Sequence, residues 1–373
     1  MGRGPLGDRM RIVMVVTNPF KPDPRVYKEA KSLTKAGHEV IIVAWDREGK
    51  YPKEEKVEGF KVIRVGPRAK YGPSMAVKLP LFYFNAFRVI SMLKPDVIHT
   101  HDFDTAVLGL ISKKLRGTKW VYDVHDLYES LVKEASPIFS SNVVGVIDAF
   151  FQKNADVILT ASHRVSEIIF RRNKNVYTVL NTVPPIPYEK ESRSKMFTVF
   201  YGGVISGHRF LLEMAKISKK LGIKYRVAGK GWEKIEQELK KQLNHDYLGF
   251  IPHKEVLKEL SKADITFAMY DPQFENNRLS IPNKIFEAAS VKTPILVSHG
   301  TALAELVETM KIGWAVKYDE KDVEKMLSFL LLNPKYLKKS GHKGHKIYLK
   351  KYTWNFVEQI ILSVYSKVVK NHV

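Results

Sequence analysis

The 373-residue chain has no cysteine. That absence removes disulfides, thiolate zinc sites and a cysteine nucleophile together, and it accords with a reducing compartment. Chemistry must then come from serine, carboxylate or histidine. Also missing is an uninterrupted apolar run of the ~20 residues that a spanning helix needs. The basic opening MGRGPLGDRMR leads into a strand pattern rather than the apolar region of a signal peptide. A cytoplasmic protein is the expectation. Acidic residues are in short supply: 39 Asp and Glu face 61 Lys and Arg, a formal charge of +22. Such a surplus attracts something anionic: nucleic acid, acidic lipid headgroups or phosphate-bearing substrates. Hyperthermophile proteins carry the same bias towards Lys and Glu without a specific partner, so a thermophilic origin is a further expectation. No segment interleaves basic and aromatic residues as nucleic-acid modules do, which disfavours nucleic acid.

The residues that are present alternate short apolar runs with amphipathic stretches. RIVMVVT, EVIIVAW, DVIHT, KWVYDV and ADVILTAS are near-continuous apolar runs separated by helical patterns such as DPRVYKEAKSLTKAG. This is how a parallel sheet covered on both faces reads. In the first helix Val26, Ala30 and Leu33 share a face, Asp23 suits the N-cap and Gly37 the end. The pattern breaks at VPPIPYEKESRSK, where Pro184, Pro185 and Pro187 precede a charged stretch that sustains no helix. The same grammar then restarts with MFTVFYGG, IKYRVAGKG, DITFAMY and TPILVS, which predicts a second doubly wound domain. KPDVIHT, NADVILT and KADITFA each place an Asp between a helix end and an apolar strand. The chain closes in helical segments with Trp354, Phe356, Val357, Ile360, Ile361 and Val364 as an apolar stripe.

In open parallel sheets ligands bind beyond the carboxyl ends of strands, so the segments after each strand are the places to search. The first, TNPFKPDPRVYKEA, is a Pro-rich loop opening a helix and lacks G-x-G-x-x-G, which argues against a dinucleotide in this half. After DVIHT come His101, Asp102 and Asp104; a strand-end imidazole there points into the crevice and can contact a sugar hydroxyl or a developing charge. The D-x-D spacing is also a metal pattern, but Asp104 is better read as a helix N-cap. After KWVYDV come His125 and Asp126, a second His-Asp pair for the acceptor side. In the second half, VFYGGVISGHRF supplies Gly202 and Gly203 for close approach to a phosphate and Arg209 at a helix start. Glu287 sits on a helix among Ile285, Phe286, Ala288 and Ala289, so it must face the crevice or be paired, and a ribose diol is a natural donor pair for it.

Taken together, DPRVYKEAKSLTKAGHEV, DVIHTHDFDTAVLG, WVYDVHDLYE, YGGVIS, VAGKG, YLGFIPHKEV and IPNKIFEAASVKTPILVS resemble the family-4 retaining glycosyltransferases, group 1 enzymes of GT-B fold. The resemblance implies two Rossmann-like doubly wound parallel-sheet domains facing each other across a cleft. Residues 1–185 would bind the acceptor, 186–352 the nucleotide-sugar, and 353–373 would form a helix packing back on the N-terminal domain. Glu287 resembles the second glutamate of the family's E-x7-E motif, which binds the donor ribose; Arg209 resembles the basic residue near the diphosphate, and His101 the histidine near the transferred sugar. By the same likeness Gly202, Gly203, Gly229, Lys230, Phe250, Ile251, Asn283, Lys284, Thr301, Ala302 and Leu303 line the donor site. His101, Asp102, His125, Asp126 and Arg25 stand on the acceptor side. The family needs no metal and no cofactor beyond its nucleotide-sugar co-substrate, because Arg side chains and helix N-termini neutralise the departing diphosphate. Two departures stand out: Leu279 replaces the motif's first glutamate, with Glu275 nearby, and the usual Lys-Gly reads Arg209-Phe210.

The expected reaction moves a sugar from a nucleotide-sugar to a hydroxyl of a glycan, a lipid-linked acceptor or a small polyol. Two rivals remain: an epimerase or hydrolase of the same architecture acting on the NDP-sugar alone, and a non-catalytic protein binding anionic lipid or nucleic acid. For lipid, Arg64, Arg68, Lys70, Lys78 and Arg88 surround Leu79, Leu81, Phe82 and Phe84. Such a segment suits a peripheral position at the inner membrane face.

Overall fold

The structure is a computed structural model describing residues 9–21, 23–70, 73–135, 139–185 and 196–370. It divides into two compact units, Met1–Leu180 with Val357–Val373, and Asn181–Phe356. Residues 186–195 of the Pro-rich junction, and Pro22 of the first loop, lie outside the described residues.

The first unit holds β1 (Arg11–Val16), β2 (Glu39–Ala44), β3 (Glu54–Val57), β4 (Phe60–Arg64), β5 (Val97–His101), β6 (Lys119–Val124), β7 (Val157–Thr160) and β8 (Val176–Thr178). They form one sheet in the order β3-β4-β2-β1-β5-β6-β7-β8, parallel except where the edge strand β3 runs antiparallel to β4. β1, β2, β5 and β6 are buried along almost their whole length, which is why they read as continuous apolar runs. Order reverses between β1 and its two neighbours β2 and β5, so the carboxyl ends of β1 and β5 mark the switch point where a ligand site is expected.

The second unit holds β9 (Thr198–Gly202), β10 (Lys224–Ala228), β11 (Tyr247–Gly249), β12 (Ile265–Ala268), β13 (Ile295–Ser298) and β14 (Gly313–Val316), ordered β11-β10-β9-β12-β13-β14 and all parallel. Its core gathers Val199, Tyr201, Phe210, Met214, Val227 and Phe267. The switch point falls at the carboxyl end of β9.

The recurring Asp before a strand has a mechanical cause. Asp96 accepts from the Arg11 amide at 2.6 Å, Asp156 from the Trp120 amide at 2.9 Å and Asp264 from the Thr198 amide at 2.9 Å. In each case the Asp amide in turn donates to the carbonyl of the same partner. Each Asp thus satisfies the first free amide of the neighbouring strand and sets the parallel register.

The first helix, Pro24–Lys35, starts as its sequence predicts: Asp23 accepts from the Val26 amide at 3.1 Å, and Val26, Ala30 and Leu33 are fully buried. Asp104 differs from its reading as an N-cap. Asp102 holds that position with φ 63°, while Asp104 lies in the first turn of helix Phe103–Arg116 and accepts a hydrogen bond from the Thr17 hydroxyl. The apolar stripe of the last helix, Trp354–Lys370, is also shifted. Val357, Ile361, Val364, Tyr365 and Val368 are buried, whereas Phe356 and Ile360 are exposed. From Val357 onwards this segment belongs to the first unit.

Helix Pro73–Leu93 corrects the lipid-facing set. Phe82 stacks on Trp45 at 4.9 Å in the core, and Arg64 is buried in an ion pair with Glu55 at 3.0 Å. Among the described side chains of that helix, the large apolar residues Val77, Leu81, Phe84 and Met92 are exposed. Among the described residues no helix is long and apolar enough to cross a membrane.

Candidate active site

At the carboxyl end of β9 in the second unit lies a cavity of about 300 Å³ lined by Tyr201, Gly202, Gly203, Arg209, His253, Tyr270, Asn283, Lys284 and Glu287, among others. Glu287 reaches it from the helix Lys284–Ser290 and is paired, its Oε1 lying 2.8 Å from His253 Nε2. The same helix supplies Lys284, whose ammonium donates to the Gly202 carbonyl and lies 4.2 Å from the Tyr201 ring centre. Burial pulls Lys284 down to about 8, with Arg209 adding to the fall and Glu287 opposing it. Arg209 lies 3.6 Å from the Tyr270 ring centre and reaches Asn277 Oδ1 at 3.4 Å. Two cations and one carboxylate therefore converge on one small cavity, with Arg209 held by a ring face and a single long hydrogen bond. That set can take a diphosphate on its cationic side and a pair of hydroxyls at the carboxylate.

The floor of the cavity depends on backbone contacts. A Cβ at Gly229 would fall inside the contact radius of the Gly203 carbonyl, and a Cβ at Gly203 would collide with the Lys284 ammonium. Phe210, which stands where the glycine of the usual Lys-Gly pair is expected, has φ 59° and ψ 31°, the left-handed region. Its ring is buried and meets Tyr318 edge-on at 5.1 Å, so packing holds a backbone conformation that a glycine would adopt freely.

In the first unit a second cluster forms where β5 and β6 end beside helix Pro24–Lys35. Arg25 grips Asp123 bidentately, Nε to Oδ2 and Nη2 to Oδ1 both at 2.7 Å, donates to the Val179 carbonyl at 2.6 Å and lies 3.3 Å from Glu29. Asp123 Oδ2 also meets His101 Nδ1 at 3.2 Å and His125 Nε2 at 3.0 Å, while His125 Nδ1 meets Asp102 at 3.1 Å. Burial alone would raise Asp123, but Arg25 and the two imidazoles hold it well below the usual carboxylate range. Burial lowers His125, yet Asp102 and Asp123 outweigh it and keep the ring protonated well above the ordinary histidine value. Glu29 moves the other way: burial, then the charge of Asp123, pushes it up to about 7.

Two family models match the sequence, a glycosyl transferase 4-like domain over residues 22–181 and a glycosyl transferase-like domain over residues 206–362. The chain belongs to the GT-B glycosyltransferases. Solved structures share this fold over nearly all of both chains. Sucrose-phosphate synthase from Thermosynechococcus elongatus is similar with a TM-score of 0.77 at 15% identity, covering 97% of this chain and 100% of its own. Anabaena HepE in complex with UDP and glucose gives 0.73 at 12% identity, covering 96% and 100%. WaaG, a glycosyltransferase involved in lipopolysaccharide biosynthesis, gives 0.69 at 12% identity, covering 95% and 99%. No curated protein matches the sequence by direct comparison.

In this glycosyltransferase the cavity brings together Gly202, Gly203, Arg209, Asn283, Lys284 and Glu287 of the expected donor residues. Gly229 takes part through its backbone contact beneath Gly203. The others stand apart for identifiable reasons. Phe250 is 79% exposed on the loop after the edge strand β11, and Lys230 is exposed. Ile251 packs against the core cluster that includes Phe200, Ala228 and Leu260. Thr301 turns its hydroxyl to the Ala304 amide at 3.1 Å as the cap of helix Ala302–Met310, and the Ala302 and Leu303 side chains are buried.

On the acceptor side two expectations are corrected. Arg25 is 3% exposed with its guanidinium donating to Asp123 and the Val179 carbonyl, so it braces the cluster from within. His101, expected to point into the crevice, is also 3% exposed because Asp123 draws its ring inward, and the partly exposed members of the cluster are His125 and Asp102. Asp126 follows His125 and is partly exposed. Sequence reasoning missed His253, the first residue of helix His253–Lys262, and Tyr270, in the loop after β12, as well as Glu29 and His99. For His99 a signal existed: His99 and His101 alternate on one face of β5.

Proposed function

We propose that the chain is a retaining glycosyltransferase that binds a nucleoside-diphosphate sugar in the cavity of the second unit and transfers the sugar to an acceptor hydroxyl at the strand ends of the first. The observation that carries this reading is the convergence of Arg209, Lys284 and the His253-paired Glu287 on one cavity at the β9 switch point. Structures of similar fold were solved with UDP, UDP-glucose and UDP-2-fluoro glucose, which supports a nucleotide-sugar donor here. In the proposed complex Glu287 accepts from the ribose hydroxyls, and Arg209 and Lys284 take the diphosphate in place of a metal. As the glycosidic bond breaks, charge grows on the leaving phosphate, and fixed cations already aimed at it lower the barrier. His125, with Asp102 and Asp126, is proposed on the acceptor side, the place expected for His101.

Melting curves with UDP, GDP, ADP and their sugars test the donor site. A ligand at 100 times its Kd adds about 2.7 kcal/mol to stability, which is several degrees in melting temperature. One base is expected to stand out, and flat curves for all of them overturn the reading. The stabilisation should weaken as pH rises through about 8, because Lys284 loses its proton there and a neutral amine does not hold a diphosphate. Incubation with the NDP-sugar alone should leave it intact; hydrolysis or epimerisation without acceptor indicates the rival activity.

We also propose a cytoplasmic enzyme that touches an anionic membrane surface and takes a lipid-linked acceptor there. Exposed Val77, Leu81, Phe84 and Met92 on helix Pro73–Leu93, with Arg88 beside Phe84 and Lys78 on the same helix, support this reading, as does the charge of +22. Co-sedimentation should rise with the anionic lipid content of vesicles and fall in Leu81→Ser/Phe84→Ser; binding indifferent to lipid charge contradicts it.

A further inference from the structure

The buried cluster of the first unit contains three groups that its hydrogen bonds leave unused. Both carboxylate oxygens of Glu29, Nε2 of His99 and Nε2 of His101 have no hydrogen-bond partner among the described residues, and the three residues are between 0% and 3% exposed. An unpaired polar atom at such depth is costly and requires an explanation. The second nitrogen of each ring is held, and Glu29 has an ion pair but no hydrogen bond. His99 Nδ1 lies 2.8 Å from the Tyr365 hydroxyl, His101 Nδ1 lies 3.2 Å from Asp123, and Glu29 Oε1 lies 3.3 Å from Arg25. The outward partners thus leave each ring's Nε2 unused, with that of His99 facing Glu29.

We propose that Glu29, His99 and His101 bind a divalent transition-metal ion of the zinc class, through the Glu29 carboxylate and the two Nε2 atoms. These residues and Asp123 offer ligand atoms that all lie within 4.8 Å of one another. His99 Nε2 and Glu29 Oε2 are 3.8 Å apart, too far for a hydrogen bond. That gap is close to the roughly 3.4 Å between two ligands of a tetrahedral ion with Zn–N and Zn–O near 2.1 Å. Two imidazoles and a carboxylate suit zinc, cobalt or iron better than magnesium or calcium. The supporting contacts are of the kind that metal sites use: a ligating histidine commonly gives its second ring nitrogen to a carboxylate or another oxygen, as His101 does to Asp123 and His99 to Tyr365. Asp123 itself is taken up by Arg25, His101 and His125, so it orients rather than ligates.

The ion would be structural. It ties β5 to helix Pro24–Lys35 and, through Tyr365, to the last helix, and it fixes the ring of His101 that shares Asp123 with the partly exposed His125. It is separate from the donor cavity and replaces none of the cations there. Because the site is enclosed, metal is expected to enter during folding.

The full-length chain, refolded from denaturant with and without one equivalent of Zn²⁺ or Co²⁺ and then gel-filtered through chelator, tests this. The expected result is one retained ion per chain, visible d–d absorption bands for Co²⁺, and a melting temperature about 5 °C or more above the metal-free protein. Glu29→Gln and His99→Ala should each lose the ion. The chain's other histidines are the controls: His245→Ala and His342→Ala should retain it. No retained ion in the wild-type chain, or one retained equally in Glu29→Gln and His99→Ala, overturns the proposal and leaves trapped water or a Glu29 proton as the partner of these atoms. Where His99→Ala fails to fold, the wild-type stoichiometry, the Co²⁺ spectrum and Glu29→Gln decide the matter.

Discussion

Arg25→Met is expected to destabilise the first unit by about 3–5 kcal/mol, the cost of stripping one partner from a buried ion pair. Methionine fills much of the space but brings none of the donors. Asp123 then keeps a buried charge that the guanidinium had gripped with two 2.7 Å hydrogen bonds, and the Val179 carbonyl loses its 2.6 Å donor. Neither group is accessible to water, since Arg25 is 3% and Asp123 0% exposed. Asp123 also loses the main charge that holds it ionised, so the hydrogen bonds of His101 and His125 loosen with it. Urea unfolding followed by circular dichroism should show the midpoint falling sharply, with the transition of the first unit moving alone. Arg25→Met/Asp123→Leu should recover part of the loss, because a buried pair replaced by apolar groups leaves no uncompensated charge. A change below about 1 kcal/mol for the single substitution would mean that the pair is not the support described here.

The largest effect on turnover is expected at Arg209. Removing one fixed donor from a developing oxyanion costs about 100- to 1000-fold in kcat, and Arg209 sits free enough to serve in that way. Its guanidinium rests on the Tyr270 ring at 3.6 Å and makes one 3.4 Å hydrogen bond to Asn277, so truncation should leave the fold intact. Arg209→Ala should therefore lower kcat by that amount at nearly unchanged melting temperature. Arg209→Lys should recover only part, because an ammonium lacks the planar fork that meets two phosphate oxygens at once. A wild-type kcat in Arg209→Ala would remove this residue from the diphosphate.

Much of the fold was legible because its causes are local. Continuous apolar strands, polar helix faces and the Asp that clamps each neighbouring strand all act within a few residues or across one strand pair, and they leave a pattern in the sequence. The donor cavity was legible in part. Gly202, Gly203 and Glu287 betray themselves by residue type, a glycine pair after a strand and a carboxylate on an apolar helix. His253 carries no such mark, because it becomes a partner of Glu287 only when the start of a helix 34 residues upstream packs beside it. The cluster around Asp123 was misread for a related reason. Arg25 was assigned to the acceptor side and Glu29 drew no notice, because their four-residue spacing on the first helix does not reveal that Asp123 of β6 and His99 of β5 meet them in the folded chain. His101 was placed at a strand end correctly, but its depth depends on Asp123, which pulls the ring inward. Phe210 marks the opposite limit: a non-glycine residue in a left-handed conformation is set by packing on Tyr318, which no local propensity signals.

In the proposed complex the cavity at the end of β9 holds the nucleotide of the donor, with Glu287 on its ribose. Calorimetric titration of wild type and Glu287→Ala with the nucleoside diphosphate that most raises the melting temperature, and with its 2′,3′-dideoxy form, tests it most directly. Loss of hydrogen bonds to a charged group should weaken binding by about 1.5–3 kcal/mol, one to two orders of magnitude in Kd. The dideoxy ligand should lose a similar amount against wild type and almost nothing against Glu287→Ala. Equal Kd values for both proteins, or an undiminished dideoxy penalty in Glu287→Ala, would contradict the assignment.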